Sequence, residues 1–89
     1  MKAVVTVTGK DTKGIIAKVS ALCSECGANI IEITQSVIGE YFAMVMLIEI
    51  KELSLPFGGF VDSMKALGKE NRLVIDVMHE DIFNAMHRI

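Results

Sequence analysis

The stretch Gly9-Lys10-Asp11-Thr12-Lys13-Gly14-Ile15 decides how this chain begins to fold. A run rich in β-branched residues, Ala3 to Thr8, leads into it, and an amphipathic helical pattern follows it. At the start of a helix the first backbone N–H groups have no partner within the helix, and the helix dipole makes that end positive. An anionic group such as the carboxylate of an amino acid can bind there. The same residues also suit an ordinary strand-to-helix turn.

The pattern on either side of this stretch predicts one strand and one helix. Strand one covers about residues 2–8, and helix one runs from about Lys13 to Cys26. Asp11 or Thr12 is the expected N-cap of the helix, and Gly27 is its expected end. The predicted buried stripe has helical spacing and consists of Ile15, Ile16, Val19, Leu22, Cys23 and Cys26.

A β-hairpin follows helix one. Strand two is predicted at about residues 29–38 and strand three at about residues 41–50, and Gly39-Glu40 between them has the length of a two-residue hairpin turn. Strand three is apolar on both faces, with Phe42, Met44, Met46, Ile48 and Ile50 on one and Tyr41, Ala43, Val45 and Leu47 on the other. We therefore expect a partner subunit, the C-terminal segment, or both to cover the face away from the helices.

The last third of the chain predicts a helix, a strand and a short terminal helix. Ser54 is the expected cap of helix two, Pro56 lies in its first turn, and Gly68 is its expected end. The inner stripe of this helix consists of Phe57, Phe60, Val61, Met64 and Leu67. Strand four covers about residues 73–78, and a C-terminal helix begins near Asp81. So short a helix is not stable alone, so we expect it to dock onto the domain or a partner.

This order of elements, βαββαβ followed by a short helix, predicts an α+β fold. Right-handed crossovers turn it into the ferredoxin-like sandwich, a four-stranded antiparallel sheet with two helices on one face. The 89 residues fit one domain with one modest core. An apolar content of 52% suggests that a second copy of the chain covers part of the apolar surface.

Charge and hydropathy exclude several classes of protein. Nine Lys and Arg against eleven Asp and Glu give a net charge of −2 with no basic block, so binding to nucleic acid through its phosphates is not expected. The longest apolar run, Tyr41 to Ile48, has eight residues and is too short to span a bilayer. No secretory signal pattern follows Met1-Lys2. The expected location is therefore the cytoplasm, without a membrane partner.

Two groups of residues suggest metal or redox chemistry, and each has a structural explanation. Cys23-Ser24-Glu25-Cys26 has C-x-x-C spacing, but it ends a helix, where the dipole disfavours a thiolate, and both cysteines lie on the apolar stripe. His79-Glu80-Asp81 with His87 could hold a metal, although a polar strand end leading into a helix cap explains these residues as well. No nucleophile, base and oxyanion donors can be named together, so we expect neither an enzyme nor a metal or other cofactor.

The quoted stretch resembles the signature of the ACT domain family. Gly9-Lys10-Asp11-Thr12-Lys13-Gly14-Ile15 matches Gly-x-Asp-x-x-Gly-Ile, and Gly27-Ala28-Asn29-Ile30 is similar to the second signature, where helix one gives way to strand two. The resemblance extends from residue 2 to about residue 79. We expect an ACT domain at residues 1–79 and a C-terminal helical tail at residues 80–89, packed on the domain or on a partner subunit. The chain looks most similar to stand-alone, single-ACT relatives of the glycine cleavage system regulator.

The resemblance implies regulation rather than catalysis. ACT domains are generally small-molecule sensors, often for amino acids, which associate as homodimers or larger homo-oligomers and bind the ligand between two copies. On this chain it implies a ligand loop of Gly9, Lys10, Asp11, Thr12, Lys13, Gly14 and Ile15, faced by Asn29 and Ile30 of the neighbouring copy. Asp11 would bind the ligand's ammonium group or cap the helix, and Lys13 stands where the family often has proline.

Two functions are compatible with these residues. In the first, an amino acid effector binds at the subunit interface and allosterically biases association or contact with a regulatory protein partner. In the alternative, the chain is a protein-interaction or oligomerisation adaptor, whose loop contacts another protein and holds no ligand.

Overall fold

The computed structural model describes residues 1–10 and 14–86. The elements follow in the order β1 (Lys2–Gly9), α1 (Ile15–Cys26), β2 (Asn29–Ile38), β3 (Tyr41–Glu49), α2 (Phe57–Glu70), β4 (Val74–His79) and α3 (Glu80–Met86). The four strands form one sheet in the order β2-β3-β1-β4, and each neighbouring pair is antiparallel. The predicted ferredoxin-like fold is confirmed. Within these residues, no helix is long and apolar enough to cross a bilayer.

The core lies between the sheet and the helices α1 and α2. Alternate residues of the central strands face the helices, because successive side chains along a strand point to opposite faces. The buried cluster includes Ala3, Val5, Val7, Val19, Cys23, Phe42, Met44, Met46, Ile48, Phe60, Met64 and Ile75. Burying each large apolar side chain contributes about 1.5–3 kcal/mol, so this cluster fixes both helices on the sheet.

Helix α1 begins later than the sequence predicts. Its first residue is Ile15, and its N-cap is Gly14 in the left-handed conformation with φ 72°, rather than Asp11 or Thr12, which lie outside the described residues. Glycine adopts this conformation without a steric penalty, so Gly14 lets the chain turn into the helix. Ile16, predicted to be buried, is exposed, because it lies about 100° around the helix from Ile15, outside the buried stripe. Gly27 ends the helix as predicted.

Helix α2 differs from the prediction at both ends. Pro56 is the N-cap rather than a residue of the first turn, and the hydroxyl of Ser54, the predicted cap, instead donates to the carbonyl of Cys26 at 3.2 Å. Gly68 does not end the helix, which continues for two more residues. A Cβ at Gly68 would lie 2.9 Å from the carbonyl oxygen of Leu73. This position therefore requires glycine because β4 approaches the helix closely.

Helix α3 lies on the face of the sheet away from α1 and α2. It contacts β1 and β4, and Phe83 of α3 lines a cavity of about 190 Å³ together with Val4, which is buried although it lies outside the main core cluster. The C-terminal segment thus covers part of this second face within the same chain. Tyr41 and Val45 of β3 remain 55% and 40% exposed. That a partner subunit covers them is still a prediction.

Candidate functional site

The two described glycines of the predicted ligand loop serve different purposes. At Gly9, the last residue of β1, an added Cβ would lie 2.4 Å from Cδ2 of Leu73. The missing side chain at Gly9 therefore leaves room for Leu73, the residue before β4. At Gly14, no atom of the described residues lies within 4 Å of an added Cβ.

The first turn of α1 presents backbone amides at this end of the molecule. Among the described residues, no side chain makes a capping hydrogen bond there, and the N–H of Lys18 donates to the carbonyl of Gly14 at 3.0 Å. Lys18 is thus the first residue whose N–H is bonded within the helix. The N–H groups of Ile15 and of the two residues after it have no acceptor in the helix itself. They lie at the positive end of the helix dipole. The predicted loop residues Asp11, Thr12 and Lys13 lie outside the described residues.

A cavity of about 580 Å³ opens at the end of β1. Its volume is within the range of small-molecule sites. The cavity is lined by Thr8, Gly9, Lys10, Tyr41, Asn71, Arg72 and Val74. Two residues of the predicted loop, Gly9 and Lys10, thus belong to a larger site to which β3, β4 and the turn between α2 and β4 contribute.

Among the described residues, the charged side chains that line this cavity are both cations. Lys10 Nζ lies 5.6 Å from the centroid of the Tyr41 ring, within the range of a cation–π contact, and 3.6 Å from Oε1 of Glu40. Arg72 has no carboxylate within ion-pair distance in the part of the chain that the structure describes. The lining itself contains two cations and no carboxylate, so this end of the sheet favours an anionic ligand.

The backbone of Arg72 is in the left-handed region. Its φ is 58°, the only positive φ of a non-glycine residue among residues 1–10 and 14–86. It follows Asn71, the C-cap of α2, and the N–H of Leu73 donates across it to the carbonyl of Gly68 at 2.8 Å. Glycine is the usual residue at such a position after a helix. A side chain there raises the conformational energy by about 1–2 kcal/mol.

Asn71 joins this turn to α1. Its Oδ1 accepts a hydrogen bond from Lys18 Nζ at 2.6 Å, and its Nδ2 donates to the carbonyl of Leu67 at 2.8 Å. Both ends of the amide are engaged, so Asn71 shapes the cavity. Sequence reasoning missed this turn, and the one signal that could have found it is topology. The sandwich places the start of β4 beside the end of β1, where Thr8 pairs with Val74.

The second half of the predicted site lies at the opposite end of the sheet. Asn29 pairs with Glu49 of β3, whereas Gly9 pairs with Phe42 of the same strand. Seven residues of strand separate these two pairs, which corresponds to about 23 Å. Ile30 packs against the core, and Asn29 is exposed. A single chain therefore does not bring Asn29 and Ile30 to the ligand loop.

The surface around Asn29 carries charges of both signs. A cavity of about 310 Å³ is lined there by Gly27, Asn29, Glu49, Lys51 and Glu52. The N-terminal ammonium of Met1 donates to Glu49 Oε1 at 2.8 Å, and this hydrogen bond lowers the pKa of the Glu49 carboxyl. Two carboxylates line this cavity, so it lacks the positive character of the Gly9 end.

The cysteines of the C-x-x-C segment are buried, which confirms their structural interpretation. Burial raises the pKa of the Cys23 thiol to about 11, and the nearby Cys26 adds to the effect. Burial also raises the pKa of Cys26, with a smaller contribution from Glu25. Thiols with a raised pKa remain protonated at neutral pH and are poor nucleophiles.

The ring of His79 is used in packing. It stacks on Phe57 with ring centroids 4.1 Å apart and an interplanar angle of 23°. The strand β4 ends at this residue and α3 begins at the next, while His87 lies outside the described residues. The described ranges hold no group of three or more His, Cys, Asp or Glu that could bind a metal ion.

Comparison with known proteins points to one family. The model of the ACT domain matches residues 2–77. The UPF0237 protein of Clostridium perfringens is 44% identical over 89 residues, covering 100% of both chains. The solved structure of an ACT domain protein from Streptococcus pneumoniae matches with a TM-score of 0.82 and 37% identity over 98% of each chain. A solved protein considered a glycine cleavage system transcriptional repressor matches with a TM-score of 0.69 and 28% identity, over 86% of this chain and 44% of that one.

ACT domains are regulatory modules that often bind amino acids. The strand order, the loop between β1 and α1 and the match over residues 2–77 agree with one another. This chain belongs to the ACT domain family.

Proposed function

We propose that this chain is a non-catalytic regulatory module that binds an amino acid between two copies of itself. The observation that carries the proposal is the positive end of the sandwich. There the first turn of α1, whose N-cap is Gly14, lies at the same end as the cavity that Lys10 and Arg72 line. The carboxylate of the amino acid binds the amides of that turn, because unpaired N–H groups and the helix dipole both favour an anion.

A second copy completes the site in this proposal. A separation of about 23 Å along β3 is too long for one amino acid to reach from the loop to Asn29 of the same chain. We therefore propose that Asn29 and Ile30 come from the neighbouring copy and that Asp11, Thr12 and Lys13 complete the loop. An amide side chain both donates and accepts hydrogen bonds, so Asn29 suits a zwitterion.

A homodimer or larger homo-oligomer follows from the same proposal. Tyr41 and Val45 expose apolar surface on the sheet face, and Val37 and Ile38 do so on the edge strand β2. Exposed apolar side chains on a sheet edge and face are features of an interface. A ligand that binds only the assembled form stabilises the assembly by mass action. Assembly is then the signal that a regulatory protein partner detects.

The remaining assignments concern the limits and location of the domain. We propose an ACT domain at residues 1–79 and a tail at residues 80–89, because the family match ends at residue 77 and α3 begins at Glu80. Two cysteines that are buried and form no disulfide suit a reducing compartment. We therefore propose a cytoplasmic location.

The proposal is tested by measuring the melting temperature of the protein with each of the twenty amino acids at millimolar concentration. At least one is expected to raise it, since a ligand that binds the folded state stabilises it. The variant Gly14→Asn adds a side chain where nothing lies within 4 Å, and asparagine tolerates the left-handed backbone. We expect this variant to fold and to lose the ligand-induced shift.

Gly39→Asn is the matched control. Gly39 also has a positive φ, 60° against 72°, and open space around its Cβ position among the described residues, but it lies in the turn between β2 and β3 and not at the start of α1. This variant is expected to keep the ligand-induced shift. If no amino acid stabilises the wild-type protein, the sensor proposal is wrong. The exposed apolar side chains of Tyr41 and Val45 would then favour the adaptor without a ligand.

A further inference from the structure

We infer that the amino acid bound at this site is acidic, with its side-chain carboxylate paired to Arg72 in the cavity beside Lys10. This inference rests on the proposed function, because it assumes that an amino acid binds at the first turn of α1. It adds the chemical class of the effector and assigns a specificity-determining role to Arg72, which lies outside both ACT signature segments.

The first argument is the balance of charge. Of the residues that the structure describes, two cations and no carboxylate line the cavity of about 580 Å³. Lys10 is partly balanced by Glu40, whose Oε1 lies 3.6 Å from its Nζ. Arg72 has no such partner within the described residues. A guanidinium presents a planar pair of donors that matches a carboxylate, so a second negative charge on the ligand fits here.

The second argument is the position of Arg72 relative to the first turn of α1. Asn71, its neighbour in the chain, accepts a hydrogen bond at 2.6 Å from Lys18, which lies one turn into α1 from Gly14. This hydrogen bond links the turn that carries Arg72 to the N-terminal half of α1. Tyr41 and Val74 add apolar surface to the cavity, against which the methylene groups of an acidic side chain can pack.

The third argument is the backbone of Arg72. With φ 58°, this residue occupies a position where glycine avoids a penalty of about 1–2 kcal/mol. Strained residues of this kind concentrate at binding sites, where the side chain has a role that outweighs the strain. The arginine side chain is exposed, so it contributes no core packing that would explain its presence.

The test is isothermal titration calorimetry with two isosteric pairs, L-glutamate against L-glutamine and L-aspartate against L-asparagine. Each pair has the same shape and differs in one negative charge. We expect one acid to bind about tenfold more tightly than its amide, the factor of one well-placed ion pair. In Arg72→Gly this preference should disappear while the melting temperature of the unliganded protein stays equal or rises, because the left-handed strain is removed. Lys65→Gln removes an exposed cation from α2 and should keep the preference.

The outcomes separate this inference from the proposed function. If the acids and their amides bind equally, or if amino acids with apolar side chains bind more tightly than both acids, the inference is wrong and the sensor proposal stands. If Arg72→Gly retains the preference for the acid, Arg72 is not the specificity-determining residue. If none of the twenty amino acids binds, the proposed function and the inference both fail.

Discussion

Lys18 Nζ of α1 donates a hydrogen bond to Asn71 Oδ1 in the turn between α2 and β4, over 2.6 Å. The two residues are 53 positions apart in the chain, and their contact joins the two segments that form the candidate site. One segment is the first turn of α1, and the other is the turn that presents Arg72 to the cavity. The relative position of the amides and the guanidinium depends on this contact.

Replacing Lys18 by methionine tests that dependence. The hydrogen bond is exposed, so we expect the free energy of unfolding in urea to fall by about 1 kcal/mol or less. The affinity for the amino acid should fall more clearly, since the turn that carries Arg72 loses its anchor. The control is Lys65→Met, an exposed lysine on α2, which should leave both quantities unchanged. An unaltered affinity in Lys18→Met would show that this contact does not position the site.

Replacing either of two glycines of α2 by alanine is expected to change the stability of the fold, in opposite directions at the two positions. At Gly68 a Cβ would lie 2.9 Å from the carbonyl oxygen of Leu73 and 3.0 Å from Cγ1 of Ile75. Overpacking of this kind lowers stability by about 1–3 kcal/mol. At Gly58 nothing lies within 4 Å, and alanine should raise stability by up to about 1 kcal/mol through helix propensity. Thermal unfolding of both variants checks the pair, and equal effects would contradict the close contact between α2 and β4.

The free energy of unfolding should change with pH in the alkaline range because the Cys23 thiol is buried. The pKa of Cys23 is about 11 in the folded chain against an ordinary 9.0, so the folded state holds this proton more tightly. Its contribution is therefore complete below pH 9 and is lost as the pH rises from 9 to 11, with a slope of at most about 1.4 kcal/mol per pH unit. Urea unfolding of wild type and Cys23→Ala across this range should show their difference in stability shrinking. A constant difference would contradict the burial of the thiol.

Much of the fold could be predicted because local patterns and tertiary packing agree. The continuous apolar run from Tyr41 to Ile48 indicated β3, and Gly39-Glu40 marked the turn between β2 and β3. Gly27 ends α1 in the left-handed conformation, as its position after the apolar stripe indicated. These features are determined by residues close together in the sequence, so the sequence pattern alone indicates them.

The errors arose where a distant segment decides the local structure. Gly68 looked like a helix end, but it lies within α2 because β4 passes too closely for a side chain. Asp11 and Thr12 are better capping residues than Gly14 by propensity, yet the left-handed Gly14 begins the helix. Arg72 carried no local signal, because a positive φ at an arginine is visible only in three dimensions. Of the seven residues that line the candidate cavity, only Gly9 and Lys10 were predicted as site residues.

The apolar face of β3 leads to a prediction about assembly. Val45 is 40% exposed within the chain, so Val45→Asp should fold. In an assembly that covers this face, the carboxylate would be buried without a partner, at a cost of several kcal/mol. Sedimentation velocity should then detect a smaller species than for wild type. Ala66→Asp, which adds the same charge at an exposed position of α2, should keep the wild-type mass. An unchanged mass for Val45→Asp would contradict cover of this face by a second copy.

Native mass spectrometry of the protein titrated with amino acids measures subunit number and bound ligand in the same spectrum. If the loop of one copy and Asn29 of another enclose the effector, the amino acid appears on dimers or larger assemblies and is absent from the monomer. Rising ligand concentration should then shift the distribution towards the assembled form. Ligand retained equally by the monomer, or assemblies that remain free of amino acid at every concentration, would contradict a site shared between two copies.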